Sequence, residues 1–162
     1  MKIMKNSMYV IVVCVLLLSS CTTTKPLSGN YPHEIECMGM ELDGSITLKT
    51  WGKGKNRADA IEQAKKDAVN AVLFVNVRNG KPDCDTRPIF NMPNIRASKA
   101  DYFNNFFKDG GDYTKFISNK DETFGKKESA KASNGNVMFG MIIRVKKSEL
   151  KKQMIADGIL TN

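Results

Sequence analysis

Residues 45–72 read SITLKTWGKGKNRADAIEQAKKDAVNAV, and the spacing of apolar positions changes once inside this stretch. From Ser45 to Lys53 the side chains alternate, with Ile46, Leu48 and Thr50 on one face and Thr47, Lys49 and Trp51 on the other. Period two with β-branched residues predicts a strand. Asp43-Gly44 before it is a turn signal, and Gly52 and Gly54 end it. Asn56 is a suitable N-cap, with Asp59 and Glu62 in the first turns, where the helix dipole favours acids. Ile61, Ala64, Ala68, Val69 and Val72 then recur at helical spacing, which predicts a helix of about four to five turns. Ala60, Ala64, Ala68 and Ala71 make a stripe of small side chains that lets this helix lie close on a sheet. Glu62 and Lys66 form an i,i+4 pair on its wet side.

Downstream, Asn79-Gly80-Lys81-Pro82 breaks the chain. Arg87–Asn91 reads as a short strand that Pro88 confines to an edge or a strand start. Ser98–Lys108 reads as a second helix with Tyr102, Phe103, Phe106 and Phe107 on its apolar side, stopped by Gly110-Gly111. Tyr113, Phe116 and Ile117 suggest one more apolar turn. Glu122–Ala132 alternates weakly and is rich in lysine, as suits an edge strand. Asn134-Gly135 is a hairpin signal, and Val137–Val145, apolar on both faces, reads as a central strand. Ser148 is placed to cap a last helix with Leu150, Met154 and Ile155 as its apolar face. Gly158 is placed for a left-handed C-cap, with Ile159 folding back on the last turn. This order defines an α+β fold: a small antiparallel sheet with helices packed on one face, built on a strand–helix–strand–strand–helix core.

Upstream, Lys2 and Lys5 precede an unbroken apolar run from Tyr9 to Leu18. A membrane span needs about 20 such residues, so the run is too short to cross and has the flanks of a secretory signal peptide. Leu18-Ser19-Ser20-Cys21 resembles the lipobox of bacterial lipoproteins, in which the cysteine thiol takes a diacylglycerol and the peptide is cut just before it. Two or more acyl chains give a stable anchor. The expected organisation is a signal peptide at 1–20, a lipidated Cys21 with a tether over 21–36, and a single domain over 37–162 with a variable middle at 80–120. No acidic run follows Cys21, which points to an outer-membrane lipoprotein facing the periplasm.

The whole chain has 162 residues and a net charge of +8; without residues 1–20 it keeps 142 residues and +6. Of that excess, +5 lies in residues 126–162. Cys14 leaves with the signal and Cys21 carries lipid, so Cys37 and Cys84 remain. An oxidising compartment favours their pairing in a disulfide. Two buried thiols, or a Cu(I) site through Cys37, Met38 and Met40, are the alternatives, although methionines at alternate positions are more often strand packing.

Residues 44–75 and 135–160 together resemble a family of small bacterial envelope lipoproteins and flagellar-assembly proteins, in particular the N-terminal domain of flagellar assembly protein T. The matching pieces are Thr50-Trp51-Gly52-Lys53-Gly54, the Ala-x-x-x-Ala helix Arg57–Ala68, the strand Met141–Val145 and Gly158-Ile159. The resemblance implies a compact domain without catalysis, in envelope proteins that join larger assemblies. The aromatic middle, Gly80–Lys120, departs from the pattern.

Catalytic material is sparse. His33, the single histidine, lies in the tether beside Pro32, which removes histidine-based catalysis and multi-histidine zinc sites. Asp83 and Asp85 flank Cys84 as turn formers or cation ligands, and no carboxylate pair is nominated for a hydrolase. No cofactor or metal is expected. Lys53, Lys55 and Arg57 stand where an anion could meet the helix N-terminus, but the third glycine of a dinucleotide fingerprint is missing. Lys151 and Lys152, with Lys126, Lys127, Lys131, Lys146 and Lys147, make a basic end that is either a solvated face or a contact for anionic polymer or lipid. Tyr102, Phe103, Phe106 and Phe107 are core or, failing that, a partner patch. The sequence therefore predicts a non-enzymatic, lipid-anchored docking or scaffold component of an envelope assembly. It has a membrane and a protein as partners, no nucleic acid, and room for an oligomer.

Overall fold

The strand and helix read from residues 45–72 are β2 (Ile46–Gly54) and α1 (Arg57–Phe74) in a computed structural model that describes residues 35–77, 79–85, 87–118, 128–131 and 136–161. Ile46, Leu48 and Thr50 are buried, and the residues between them are half-exposed. The Asn56 side chain accepts from the Asp59 N–H at 3.0 Å and so satisfies one of the free donors that begin a helix. Ala60, Ala64, Ala68 and Ala71 are fully buried. Their small size brings backbone close to backbone. Thr50 Oγ1 donates to the Ala64 carbonyl at 3.1 Å, and a Cβ at Gly52 would sit 1.9 Å from the Ala60 oxygen and 2.4 Å from the Ala64 nitrogen. Gly52 thus serves the close approach of helix and sheet as much as the end of a strand.

The remaining described elements are β1 (Glu36–Met40), β3 (Asn79–Gly80), α2 (Ile95–Ser98), α3 (Ala100–Phe106), a 3₁₀ turn (Asp112–Phe116), β4 (Ile117–Ser118), β5 (Glu128–Lys131), β6 (Val137–Val145) and α4 (Lys147–Ala156). The fold is α+β. The strands order as β3-β1-β2-β6-β4, with β5 also on β6. β2 and β6 pair antiparallel over their whole length, from Ile46↔Val145 to Gly54↔Val137. β6 is central, as expected from its apolar faces: β4 lies beside its C-terminal end and β5 beside its N-terminal end. The core joins Ile46 and Leu48 of β2, Ile143 and Val145 of β6, the buried face of α1, the aromatic side chains of 103–117, and Leu150 and Met154 of α4.

Several expectations need correction. The sheet is mixed, because β3 runs parallel to β1. The Lys81 N–H bonds the Cys37 carbonyl at 3.0 Å, and the Cys37–Cys84 disulfide holds the same segment there. β1 is a strand, as the alternating Met38 and Met40 suggest, although its composition, ECMGM, has no β-branched residue and its pairing has a bulge between Cys37 and Gly39. The sheet therefore begins at Glu36, inside the expected tether.

Arg87–Asn91 is not a strand. The Ile89 and Phe90 N–H groups instead bond the Val72 and Leu73 carbonyls at 2.9 Å each, satisfying acceptors at the end of α1. The helix expected over 98–108 is two short helices broken at Lys99. Glu62 and Lys66 both turn into the 109–113 segment: Glu62 accepts from the Tyr113 hydroxyl, and Lys66 pairs with Asp109. Ser148 does not cap α4; its hydroxyl donates to the Gly44 carbonyl at 3.4 Å, tying the β1–β2 turn to that helix. Gly158 does take the left-handed conformation, and the Ile159 N–H returns to the Met154 carbonyl at 2.9 Å. Of the expected edge strand, Glu128–Lys131 pairs with β6. Residues 119–127 and Asn134-Gly135 lie outside the described residues.

Candidate functional site

The C-terminal half of α1 carries polar groups on a face that is otherwise apolar. Asp67 is 3% exposed and Asn70 6%, among Val69, Ala71, Val72 and Leu73. A buried carboxylate is costly unless it is paired and hydrogen-bonded. Gln63 Nε2 donates to Asp67 Oδ1 at 2.8 Å, while Asp67 Oδ2 is buried without a hydrogen-bond partner. Burial pushes the Asp67 carboxyl up to about 7; the Gln63 bond and the charges of Arg96 and Lys66 act against that rise.

Arg96 is the countercharge on the neighbouring segment. Its Nη1 donates to Asn70 Oδ1, and its guanidinium lies 5.4 Å from the Phe74 ring centroid and 5.5 Å from that of Phe107. Such placement over ring faces is favourable for a partly desolvated guanidinium.

Beside these groups opens a pocket of about 310 Å³. Phe74, Val75, Phe90, Met92, Pro93 and Ile95 give it apolar walls, and Asn70, Asn94 and Arg96 supply its polar lining. Phe74 and Phe90 stack at 5.5 Å between centroids, and Phe103 meets both edge-on behind this wall. The rim exposes Val75 (42%) and Met92 (50%), two of the three exposed large apolar residues described. Concave apolar walls with a few convergent polar groups are the ordinary form of a binding site.

The residues nominated from sequence are scattered around this region. Cys37 and Cys84 are bonded, which removes Cys37 from any soft-metal set. Asp85 is engaged by Lys147 Nζ at 3.2 Å and by Arg87 Nε at 3.1 Å. Among the described residues, no group of three or more His, Cys, Asp or Glu side chains is placed to hold a metal ion.

Phe103, Phe106 and Phe107 are buried, and Tyr102 is half-buried with its hydroxyl on Asp157. The aromatic cluster is therefore core and not a surface patch, because its rings stack on one another and on Phe116 and Tyr113. At the start of α1, Asn56 and Asp59 already occupy the helix end, and Arg57 lies 4.8 Å over the Phe139 ring. Lys55 is exposed and Lys53 half-exposed. Of the basic end, Lys146 pairs with Glu149, Lys147 holds Asp85, and Lys151 and Lys152 are exposed. Lys126 and Lys127 fall outside the described residues, as do Cys21 and His33. Among the described residues, no helix is long and apolar enough to cross a membrane.

Sequence reasoning missed the pocket. Its signal was Asp67 and Asn70, two polar residues three apart inside the alanine-rich face, which require polar partners from elsewhere in the chain. No protein-family model, curated protein or solved structure matches the chain.

Proposed function

We propose that the protein is a non-enzymatic, lipid-anchored lipoprotein facing the periplasm, where it acts as a docking or scaffold component of a cell-envelope assembly. The observation that carries this reading is Leu18-Ser19-Ser20-Cys21 directly behind the short apolar run Tyr9–Leu18. A thiolate is the nucleophile that takes the lipid, so the cysteine is the chemical requirement. A Cys37–Cys84 bond suits the oxidising compartment to which such a signal leads. The resemblance to envelope lipoproteins and flagellar-assembly proteins supports the scaffold role.

The test is Cys21→Ser in the producing cell. Loss of fatty-acyl labelling, with release from the membrane or failure of processing, is the expected result. Unchanged acylation and retention would refute the anchor.

A second reading is favoured by Lys151 and Lys152, exposed side by side on α4. They would contact an anionic polymer or lipid headgroup, and retention on such a surface should then weaken steeply with salt. Retention that survives both salt and charge reversal at these two lysines would remove this reading.

A further inference from the structure

β3 consists of Asn79 and Gly80 alone. Asparagine is a chemically labile residue, because the backbone nitrogen of the residue after it can attack its side-chain amide carbon. A side chain on that following residue hinders the approach, and glycine has none. The fold requires the glycine here. Gly80 has φ +128, and a Cβ on it would sit 2.2 Å from the Cys37 carbonyl oxygen and 2.5 Å from the Cys37 nitrogen. The close approach of β3 to β1 therefore fixes the reactive pair in place.

The surroundings leave that pair open to reaction. Asn79 and Gly80 are both exposed, and β3 is the end strand of the sheet. Glu36 pairs with Asn79 and Cys37 with Gly80, and the N–H that donates to the Cys37 carbonyl, at 3.0 Å, is that of Lys81. Successive N–H groups of a strand point to opposite sides, so the Gly80 nitrogen faces off the open edge and carries no ladder bond.

We propose that Asn79 is a self-modification site, converted to aspartate and isoaspartate in the folded protein with water as the only reagent. The Gly80 nitrogen attacks Asn79 Cγ and an N–Cγ bond forms. The Cγ–Nδ2 bond breaks, and ammonia leaves with the proton given up by the Gly80 nitrogen. Water then opens the cyclic imide. Cleavage of the N–Cγ bond gives aspartate; cleavage at the original backbone carbonyl gives isoaspartate, whose main chain runs through Cγ. Nothing is oxidised or reduced. Both products place a carboxylate opposite Glu36, where like charges repel. Isoaspartate also lengthens the main chain by a methylene, which breaks the register on Glu36 and Cys37. β3 then leaves β1 while Cys84 keeps the segment tied to Cys37, and the stretch of β1 that β3 covered becomes an open edge. This chemistry goes beyond the scaffold reading and does not depend on the anchor.

The experiment incubates the full chain in detergent, with its disulfide intact, in mildly alkaline buffer. Peptide mapping by mass spectrometry follows each asparagine amide separately, Asn134 included. Loss at Asn79 is expected severalfold faster than at Asn76 and Asn91, which are also exposed but precede Val77 and Met92. Asn79→Gln should abolish the change at this position, because the longer side chain cyclises far more slowly. Hydrogen exchange at the Lys81 N–H reads the consequence, and should be severalfold faster in the converted protein than in the parent. Asn79→Asp, which adds the charge on an unlengthened main chain, should show a smaller rise. Conversion at Asn79 no faster than at Asn91, or seen only when denaturant unfolds the chain, overturns the proposal. Lys81 exchange unchanged by conversion overturns the release of β3.

Discussion

Replacing Gly52 with alanine tests whether α1 is seated on β2 by backbone contact. The added Cβ would meet the Ala60 carbonyl oxygen at 1.9 Å and the Ala64 nitrogen at 2.4 Å. Both are backbone atoms inside a helix, so neither can swing aside as a side chain would. The helix must lift by about an ångström, loosening Ala60, Ala64, Ala68 and Val69 together. Overpacking that forces a backbone shift costs about 1–3 kcal/mol, and this collision belongs at the upper end. For a chain of this size, about 3 kcal/mol corresponds to a fall of roughly 6–12 °C in Tm. Gly158→Ala is the matched control. Gly158 has φ +67 and nothing within 4 Å, so alanine there meets only the left-handed backbone penalty, about 1–2 kcal/mol. Calorimetry of both variants beside the parent gives the comparison. A Gly52→Ala loss no larger than the Gly158→Ala loss would refute the close-approach argument.

Other perturbations probe the polar interior and the clasp. Asp67 has its carboxyl raised to about 7 by burial, above its ordinary 3.8. The folded protein therefore keeps a proton that the unfolded chain releases near pH 4, and stability should fall as pH rises from about 4 to 7, by up to about 1.4 kcal/mol per unit. Asp67→Asn should flatten that slope in chemical denaturation at several pH values, and an unchanged slope would contradict it. Replacing Cys37 and Cys84 together with alanine opens a crosslink across 47 residues, for which chain entropy predicts a loss of about 4 kcal/mol. Denaturation of the double variant beside the parent checks this, and equal midpoints would count against it. Lys147 is 14% exposed and donates to Asp85 Oδ2, the Asp85 carbonyl and the Arg87 carbonyl. Lys147→Ala should cost roughly 1.5–3 kcal/mol and speed amide exchange at Ile89 and Phe90. Exchange that stays as slow as in the parent would show that Lys147 does not hold this segment.

The elements read well from sequence were those whose period had a single explanation. Ile46, Leu48 and Thr50 alternate because one face of β2 meets a helix, and the alanines recur because that helix must lie close. Arg87–Asn91 misled because extended, apolar chain beside Pro88 satisfies the strand pattern, yet its donors go to the end of α1. β1 was signalled only by the alternating Met38 and Met40, because its pairing is fixed by a bulge and by a cysteine whose partner is 47 residues away. The pocket needed two segments to be brought together, the end of α1 at Asn70–Val75 and the stretch Phe90–Arg96. Composition cannot report that convergence, although Asp67 and Asn70 on a buried face mark where it would have to occur.

The position of β6 carries a consequence for how the molecule is made. β1, β2 and α1 are synthesised early and lie close in sequence, but the strand that completes β2 along its whole length spans residues 137–145. Until those residues reach the compartment where the chain folds, β2 has an open edge and α1 lacks the side chains of Phe139, Ile143 and Val145 beneath it. Long-range pairing of this kind slows folding, and unpaired edges invite association with other chains. A chain halted before residue 137 holds most of the helix-forming sequence and no way to close its sheet. The folded state thus becomes available only when nearly the whole polypeptide has been delivered, and the last strand acts as the trigger.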